Sequence, residues 1–286
     1  MRESTVEILL GDSRRVLDNY RDGYFNLIVT SPPYADARRS HYDSISPRDY
    51  VDFMTSFHEQ LWRVLAPDGS FILNIKDKVV HGVRSRYVWH TLEALSDLGW
   101  RCVDDYIWYK PNAMPGYWRN RLRDEWEYCF HLTKQAKFAM YQNQVKKHMG
   151  TWAVKRLANL NGKSAVRHNS ENDSGFGRDL RNWKGREEVL PGNVISIPLV
   201  GKNMGHPAVF PVGLPEFFIK LFTKPWDNVL DPFAGSGSTG VAAKLLGRRV
   251  VLIDSKREYV ELMRTRLSQV KYTKSVAESL NTRLPL

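Results

Sequence analysis

Cysteine is scarce. Cys102 and Cys129 are the only two in 286 residues, so neither a disulfide framework nor a four-cysteine metal site can be built. The eight histidines show no metal-ligand spacing. No apolar run reaches the roughly 18 residues that a membrane helix needs. Met1–Asp12 (MRESTVEILLGD) is too polar to read as a secretion signal. A reducing cytoplasm is the expected home. Internal repeats are also absent. With 42% hydrophobic residues, the chain can bury one large domain, or a domain with one sizeable insertion.

The charge is uneven. Residues 1–133 carry 17 Lys+Arg against 19 Asp+Glu, residues 134–186 carry 12 against 3, and residues 187–286 carry 13 against 9. Most of the net +11 therefore sits in the middle segment, where a surface that meets a polyanion is the better reading than a solvated linker. Lys146, Lys147, Lys155 and Arg156 belong to it.

Outside that segment, apolar runs and helical stripes alternate. Phe25–Thr30 (FNLIVT), closed by Ser-Pro-Pro, reads as a buried strand. Asp49–Leu65 carries the stripe of one helix, stopped by a turn at Pro67-Asp68-Gly69. Ser70–Lys76 predicts a strand, Tyr87–Leu98 a helix, and Val103–Tyr109 and Trp126–Leu132 two further strands. The basic segment reads as an insertion with little regular structure around Trp152, Phe176 and Trp183. The alternation then returns: a helix over Phe210–Phe222, a strand at Asn228–Leu230, a helix over Ser238–Leu246, a strand at Arg249–Ile253 and a helix over Glu258–Val270. This pattern implies an α/β fold, Rossmann-like and doubly wound, with a mainly parallel sheet covered on both faces.

Two loops carry chemistry. Asp231–Gly240 (DPFAGSGSTG) follows a strand and opens a helix, so Gly235 and Gly237 allow close backbone approach to a ligand. Asp254 closes the next strand, where an acid can accept both hydroxyls of a ribose. Gly235, Gly237 and Gly240 also satisfy the dinucleotide pattern, which keeps a nicotinamide oxidoreductase open as a rival. A Walker A loop is excluded, because no Lys-Ser/Thr follows Gly240. Asp231 before the glycines would repel a pyrophosphate and suits a ligand with an ammonium and a sulfonium, such as S-adenosylmethionine. The second loop, Thr30–Tyr34 (TSPPY), lies at a strand end, where open α/β sheets place their sites. Its prolines direct the Pro32 carbonyl, Ser31 adds a hydroxyl and Tyr34 offers a flat face. Together they can grip a planar group bearing an NH2.

Taken jointly, Ser31–Tyr34, Asp231–Thr239 and the basic insertion resemble an amino-group DNA methyltransferase of the permuted, beta-type order, with the catalytic motif first. Leu9–Asp12 (LLGD), Arg63–Gly69, Trp108–Pro115 (WYKPNAMP), Arg123–Lys134 (RDEWEYCFHLTK) and His206-Pro207-Ala208 resemble further motifs of that family. The resemblance covers roughly residues 5–134 and 195–270; the middle matches nothing nameable. It implies a class I methyltransferase fold with a catalytic half over 1–133, a target recognition insertion over 134–194, a cofactor half over 195–271 and a polar tail over 272–286. It also implies S-adenosylmethionine held by Asp12, Thr30, His206, Asp231, Phe233, Ala234, Gly235, Ser236, Gly237, Ser238, Thr239 and Asp254. Catalysis falls to Ser31, Pro32, Pro33 and Tyr34, with double-stranded DNA as substrate and a bacterial, archaeal or phage source. The resemblance leaves open a cognate restriction endonuclease and a homodimer.

The first position of the catalytic loop is Ser31 rather than Asp, which in this family correlates with N4-cytosine targets; N6-adenine is the alternative. The amine's two N–H groups would bond to the Ser31 side chain and the Pro32 carbonyl, freeing the nitrogen lone pair for in-line attack. The base must leave the duplex, and Tyr34 is its expected stacking partner through the ring alone. Arg38 and Arg39, just after the loop, read either as solvated or as phosphate contacts. Cytosine C5 chemistry would need a Pro-Cys nucleophile; Cys102 and Cys129 instead sit in apolar strands and are expected in the core. A non-enzymatic nucleic-acid-binding module is the rival that charge alone raises.

Overall fold

The computed structural model describes residues 5–35, 45–117, 119–159, 166–167, 178–180, 183, 185–200 and 211–270. They fall into two compact units, Met1–Gln144 with Gly192–Leu286, and Val145–Pro191.

The first unit is built on eight strands: β1 (Val6–Leu10), β2 (Phe25–Thr30), β3 (Leu65–Ile75), β4 (Arg101–Tyr109), β5 (Trp126–Thr133), β6 (Val194–Ser196), β7 (Asn228–Asp231) and β8 (Arg249–Asp254). They form one sheet in the order β1-β8-β7-β2-β3-β5-β4-β6. Every pairing is parallel except the two that β5 makes with β3 and β4. β2, β7 and β8 lie mid-sheet, which explains their near-continuous apolar runs: both faces are covered. The mainly parallel α/β sheet is therefore as the alternation predicts.

Among the described residues the α-helices are α1 (Ser13–Val16), α2 (Tyr50–Thr55), α3 (His58–Val64), α4 (Tyr87–Asp97), α5 (Thr151–Ala158), α6 (Gly213–Phe222), α7 (Ser238–Leu245) and α8 (Arg257–Ser268). One core gathers Phe25, Ile28, Tyr50, Met54, Leu61, Phe71, Tyr87, Leu95 and Trp100, all nearly inaccessible to solvent. At about 25 cal/mol per Å2 of buried apolar surface, each such side chain stabilises the fold by roughly 1.5–3 kcal/mol. Pro215 lies in the first turn of α6, where a missing N–H costs nothing.

The local pattern misleads in several places. The single helix expected over Asp49–Leu65 is two, α2 and α3, separated near Ser56 and Phe57. Pro67-Asp68-Gly69 is not a free turn but part of β3, where the register slips so that Phe25 faces Leu65 while Leu27 faces Ser70. The extra residues are absorbed there as a bulge. Cys129 is buried as expected, but Cys102 is exposed, correcting its core assignment. The physical reason is position: β6 pairs with β4 only at Ile107–Tyr109, so among the described residues no strand covers that side of the start of β4.

Residues 134–144, expected in the insertion, cluster with the first unit; Tyr141 N–H donates to the Leu221 carbonyl at 2.6 Å. The second unit is not wholly irregular either. It contains α5, no residue of which is buried, and a two-residue antiparallel pairing of Lys147-His148 with Glu188-Val189. Phe176 and the tail 272–286 lie outside the described residues.

Candidate active site

Because β1, β8, β7 and β2 are parallel neighbours, their carboxyl ends gather Gly11-Asp12, Asp254, Asp231 and Thr30 at one edge of the sheet. That is where open α/β sheets form their binding crevice.

The glycine turn is held from several sides. Ala234 N–H donates to the Ile253 carbonyl at 2.9 Å, and Ser13 Oγ donates to the Pro232 carbonyl at 2.5 Å. Gly235 and Gly237 have φ of 49° and 78°, left-handed values that favour glycine. Gly240 serves packing: a Cβ there would meet Leu252 Cδ1 at 2.5 Å, so glycine lets α7 close onto β8. Gly237 likewise has Met263 Cγ only 2.9 Å from where its Cβ would sit. A large residue at 237 would therefore strain the fold before it met a ligand.

Asp254 ends β8 and takes one backbone N–H on each oxygen, from Gly235 and from Lys256, both at 2.9 Å. Burial raises its carboxyl above the usual range. Each oxygen keeps a second lone pair for a ligand hydroxyl. Asp12 caps α1 by accepting the Arg14 N–H at 2.9 Å, and the Arg14 guanidinium holds its carboxyl below the usual range. Phe233 is half-buried, its ring edge-on to Phe57 with centroids 4.8 Å apart.

Asp231 behaves differently from its sequence reading. It is fully buried, with Oδ1 accepting the Thr30 hydroxyl at 2.6 Å and Oδ2 the Thr239 hydroxyl at 2.5 Å. Phe233 N–H adds a third contact at 3.2 Å. Burial lifts its pKa to about 6 despite these donors. Asp231 is thus a clamp joining β2, β7 and α7. Thr30, Ser238 and Thr239 are buried with it.

Across the clamp stands the second loop. Pro32 is buried, while Ser31, Pro33 and Tyr34 are partly exposed. Ser31 Oγ donates to Tyr34 Oη at 3.1 Å. Tyr34 Oη in turn lies 2.7 Å from Glu127 Oε2 and 3.1 Å from Asn74 Oδ1. Glu127 is paired with Lys110, and both are buried. Burial and the Glu127 carboxylate raise the Tyr34 phenol well above its usual range, so it stays protonated.

Asn74, Lys110 and Glu127 are missing from the sequence-derived site. Glu127 did leave a signal, an acid inside the apolar run Trp126–Leu132. His206, Arg38 and Arg39 lie outside the described residues. Lys146, Lys147, Lys155 and Arg156 are exposed in the second unit, with the Arg156 guanidinium 5.1 Å from the Trp152 ring centre. Arg121 is paired with Asp124 and Arg123 with Glu125.

Residues 25–265 match the model of the N6_N4_Mtase family, described as DNA methylase. The chain belongs to this family. The methylase is 28% identical over 280 residues to the type II methyltransferase M.PvuII of Proteus hauseri, covering 90% of this chain and 82% of that one. It is 30% identical over 292 residues to M.Cfr9I of Citrobacter freundii, covering 90% and 86%. The solved structure of PvuII DNA methyltransferase (cytosine-N4-specific) superposes with a TM-score of 0.71 at 25% identity, covering 98% of this methylase and 92% of that chain. The amino-group DNA methyltransferase anticipated from the motifs is therefore the right family, and the class I methyltransferase fold the right architecture. The nicotinamide rival falls with that assignment, and so does the non-enzymatic one.

Proposed function

We propose that this methylase transfers a methyl group from S-adenosylmethionine to the exocyclic N4 of cytosine in double-stranded DNA. The observation that carries this reading is the Thr30–Asp231–Thr239 clamp, which joins the Ser-Pro-Pro-Tyr loop to the glycine turn. A grip for a planar amine and a cradle for a nucleoside thereby share one crevice.

The residues present fit the cofactor. Gly235 and Gly237 form a left-handed turn, Asp254 and Asp12 bring carboxylates to adjacent strand ends, and Phe233 adds a half-buried ring packed on Phe57. These residues would hold S-adenosylmethionine, which supplies an electrophilic methyl on a sulfonium. Ser31 Oγ and the Pro32 carbonyl accept the two N–H groups of the target amine, drawing its lone pair out of conjugation. The Tyr34 ring stacks on the extruded base. Fixed acceptors facing developing positive charge lower the barrier without reorganisation. No thiolate takes part, in keeping with Cys129, whose thiol burial raises far above its usual range.

N4 is favoured over N6 by Ser31 in place of an acid and by the named specificity of the PvuII enzyme. Val145–Pro191, with its exposed Lys146, Lys147, Lys155 and Arg156, serves as the target recognition surface. Restriction–modification with a cognate endonuclease in a bacterial cytoplasm is supported by the relatives' type II names. A labelled-methyl assay on duplex DNA, hydrolysed to nucleosides, tests the chemistry: label is expected in N4-methylcytosine, and label in N6-methyladenine alone overturns the cytosine assignment. Replacing the four basic residues by Ala should weaken DNA binding and flatten its salt dependence while leaving cofactor affinity unchanged.

A further inference from the structure

A hydroxyl can donate or accept, and a target amine needs an acceptor. Ser31 must therefore turn its own hydrogen away from the base. Tyr34 Oη takes that hydrogen at 3.1 Å. Tyr34 has a single hydrogen to give, and both groups beyond it accept: Glu127 Oε2 at 2.7 Å and Asn74 Oδ1 at 3.1 Å. The Asn74 amide is turned this way because its Nδ2 donates to the Tyr128 carbonyl at 2.9 Å. The Glu127 carboxylate has no hydrogen to offer, and its other oxygen is held by Lys110. The two side chains are only 8% and 9% exposed, so an uncompensated carboxylate could not persist there. Every hydrogen in the chain thus points away from the crevice.

We propose that Glu127, balanced by Lys110, is a positioning residue: it fixes the direction of the Ser31–Tyr34–Glu127 hydrogen-bond chain and so holds Ser31 as an acceptor for the target's amino group. The inference rests on Ser31 being the acceptor for that amine. It gives the Tyr34 hydroxyl a role that stacking does not require. Without the acid, Ser31 is free to point its hydrogen at the base, where the ring nitrogen beside the amine would accept it and the amine would lose its partner.

The test uses Tyr34→Phe, which leaves the ion pair whole, and the double change Glu127→Gln/Lys110→Met, which removes both charges and avoids a lone buried one. Each should lower kcat by roughly 10- to 100-fold, the effect of one charge-assisted hydrogen bond. Calorimetric affinity for S-adenosylmethionine should stay as in the parent, and Tyr34→Phe should remain folded at the assay temperature. Combining the two should cost no more than either, and in a Ser31→Ala background Tyr34→Phe should cost nothing further. Additive losses, or wild-type kcat in Tyr34→Phe, overturn the inference. If Ser31→Ala is impaired while Tyr34→Phe is not, only the inference fails; if Ser31→Ala turns over like the parent, the reading of Ser31 fails and the inference with it.

Discussion

Two buried carboxylates hold the two halves of the crevice, and they are satisfied in opposite ways. Asp231 is surrounded by neutral donors, the Thr30 and Thr239 hydroxyls and a backbone N–H. Glu127 is matched by a full charge on Lys110 and gathers Tyr34 and Asn74 on its other oxygen. Hydroxyl donors leave part of the desolvation cost standing, which is why Asp231 titrates near 6. A charged partner offsets that cost but makes each member dependent on the other. The first arrangement suits a clamp that only joins elements; the second suits a site where the direction of a hydrogen bond matters.

Breaking the charged hub should have the largest effect on stability. Lys110→Met strands the Glu127 carboxylate in the interior, at a cost of about 3–5 kcal/mol. Adding Glu127→Gln should recover most of the loss in urea unfolding. A single variant as stable as the parent would mean that the pair is solvated after all.

At the neutral hub the signature is pH. The folded carboxyl of Asp231 titrates at about 6, against 3.8 for an aspartate freely exposed to water. Folding then retains a proton that the unfolded chain gives up. Its contribution is complete below pH 3.8 and is lost as the pH rises through about 6. Measured against Asp231→Asn, the parent should lose up to about 3 kcal/mol across that window, two pKa units' worth. A flat difference between pH 4 and 7 would show that Asp231 is not desolvated.

Thr30→Val should act more weakly. It removes one donor and leaves Asp231 Oδ1 with only the 3.2 Å contact from Phe233 N–H. The expected cost is roughly 1–3 kcal/mol, and it should shrink in mild acid, where the carboxyl is protonated. The smallest effect belongs to Arg14→Ala. Its pair with Asp12 is exposed, so less than about 1 kcal/mol is expected, and the backbone cap on Asp12 survives. A larger loss there would place Arg14 among the residues that shape the crevice.

Strands and glycine signals were legible because their causes are local. A strand covered on both faces must be apolar along its whole length, so FNLIVT and VVLID announce themselves. A tight strand-to-helix turn requires left-handed backbone, so Gly235 and Gly237 do too. The three glycines nonetheless looked alike in sequence, and only packing separates the conformational glycines from Gly240, which admits Leu252. The Asp49–Leu65 stripe could not reveal its break at Ser56, because a break leaves the apolar periodicity intact. Cys102 misled because an apolar strand with no described neighbour on one side reads like one in mid-sheet.

By itself, the sequence determined the alternation of strands and helices, the identity of the two loops and the concentration of basic residues in the middle of the chain. Each depends on neighbouring residues or on composition. Only the tertiary structure decided that Asp231 is spent on Thr30 and Thr239, and that Glu127 and Lys110 stand behind Tyr34. Those contacts join positions as far as 201 residues apart in the chain. Sheet order brings them together, and burial then dictates which polar groups must find one another.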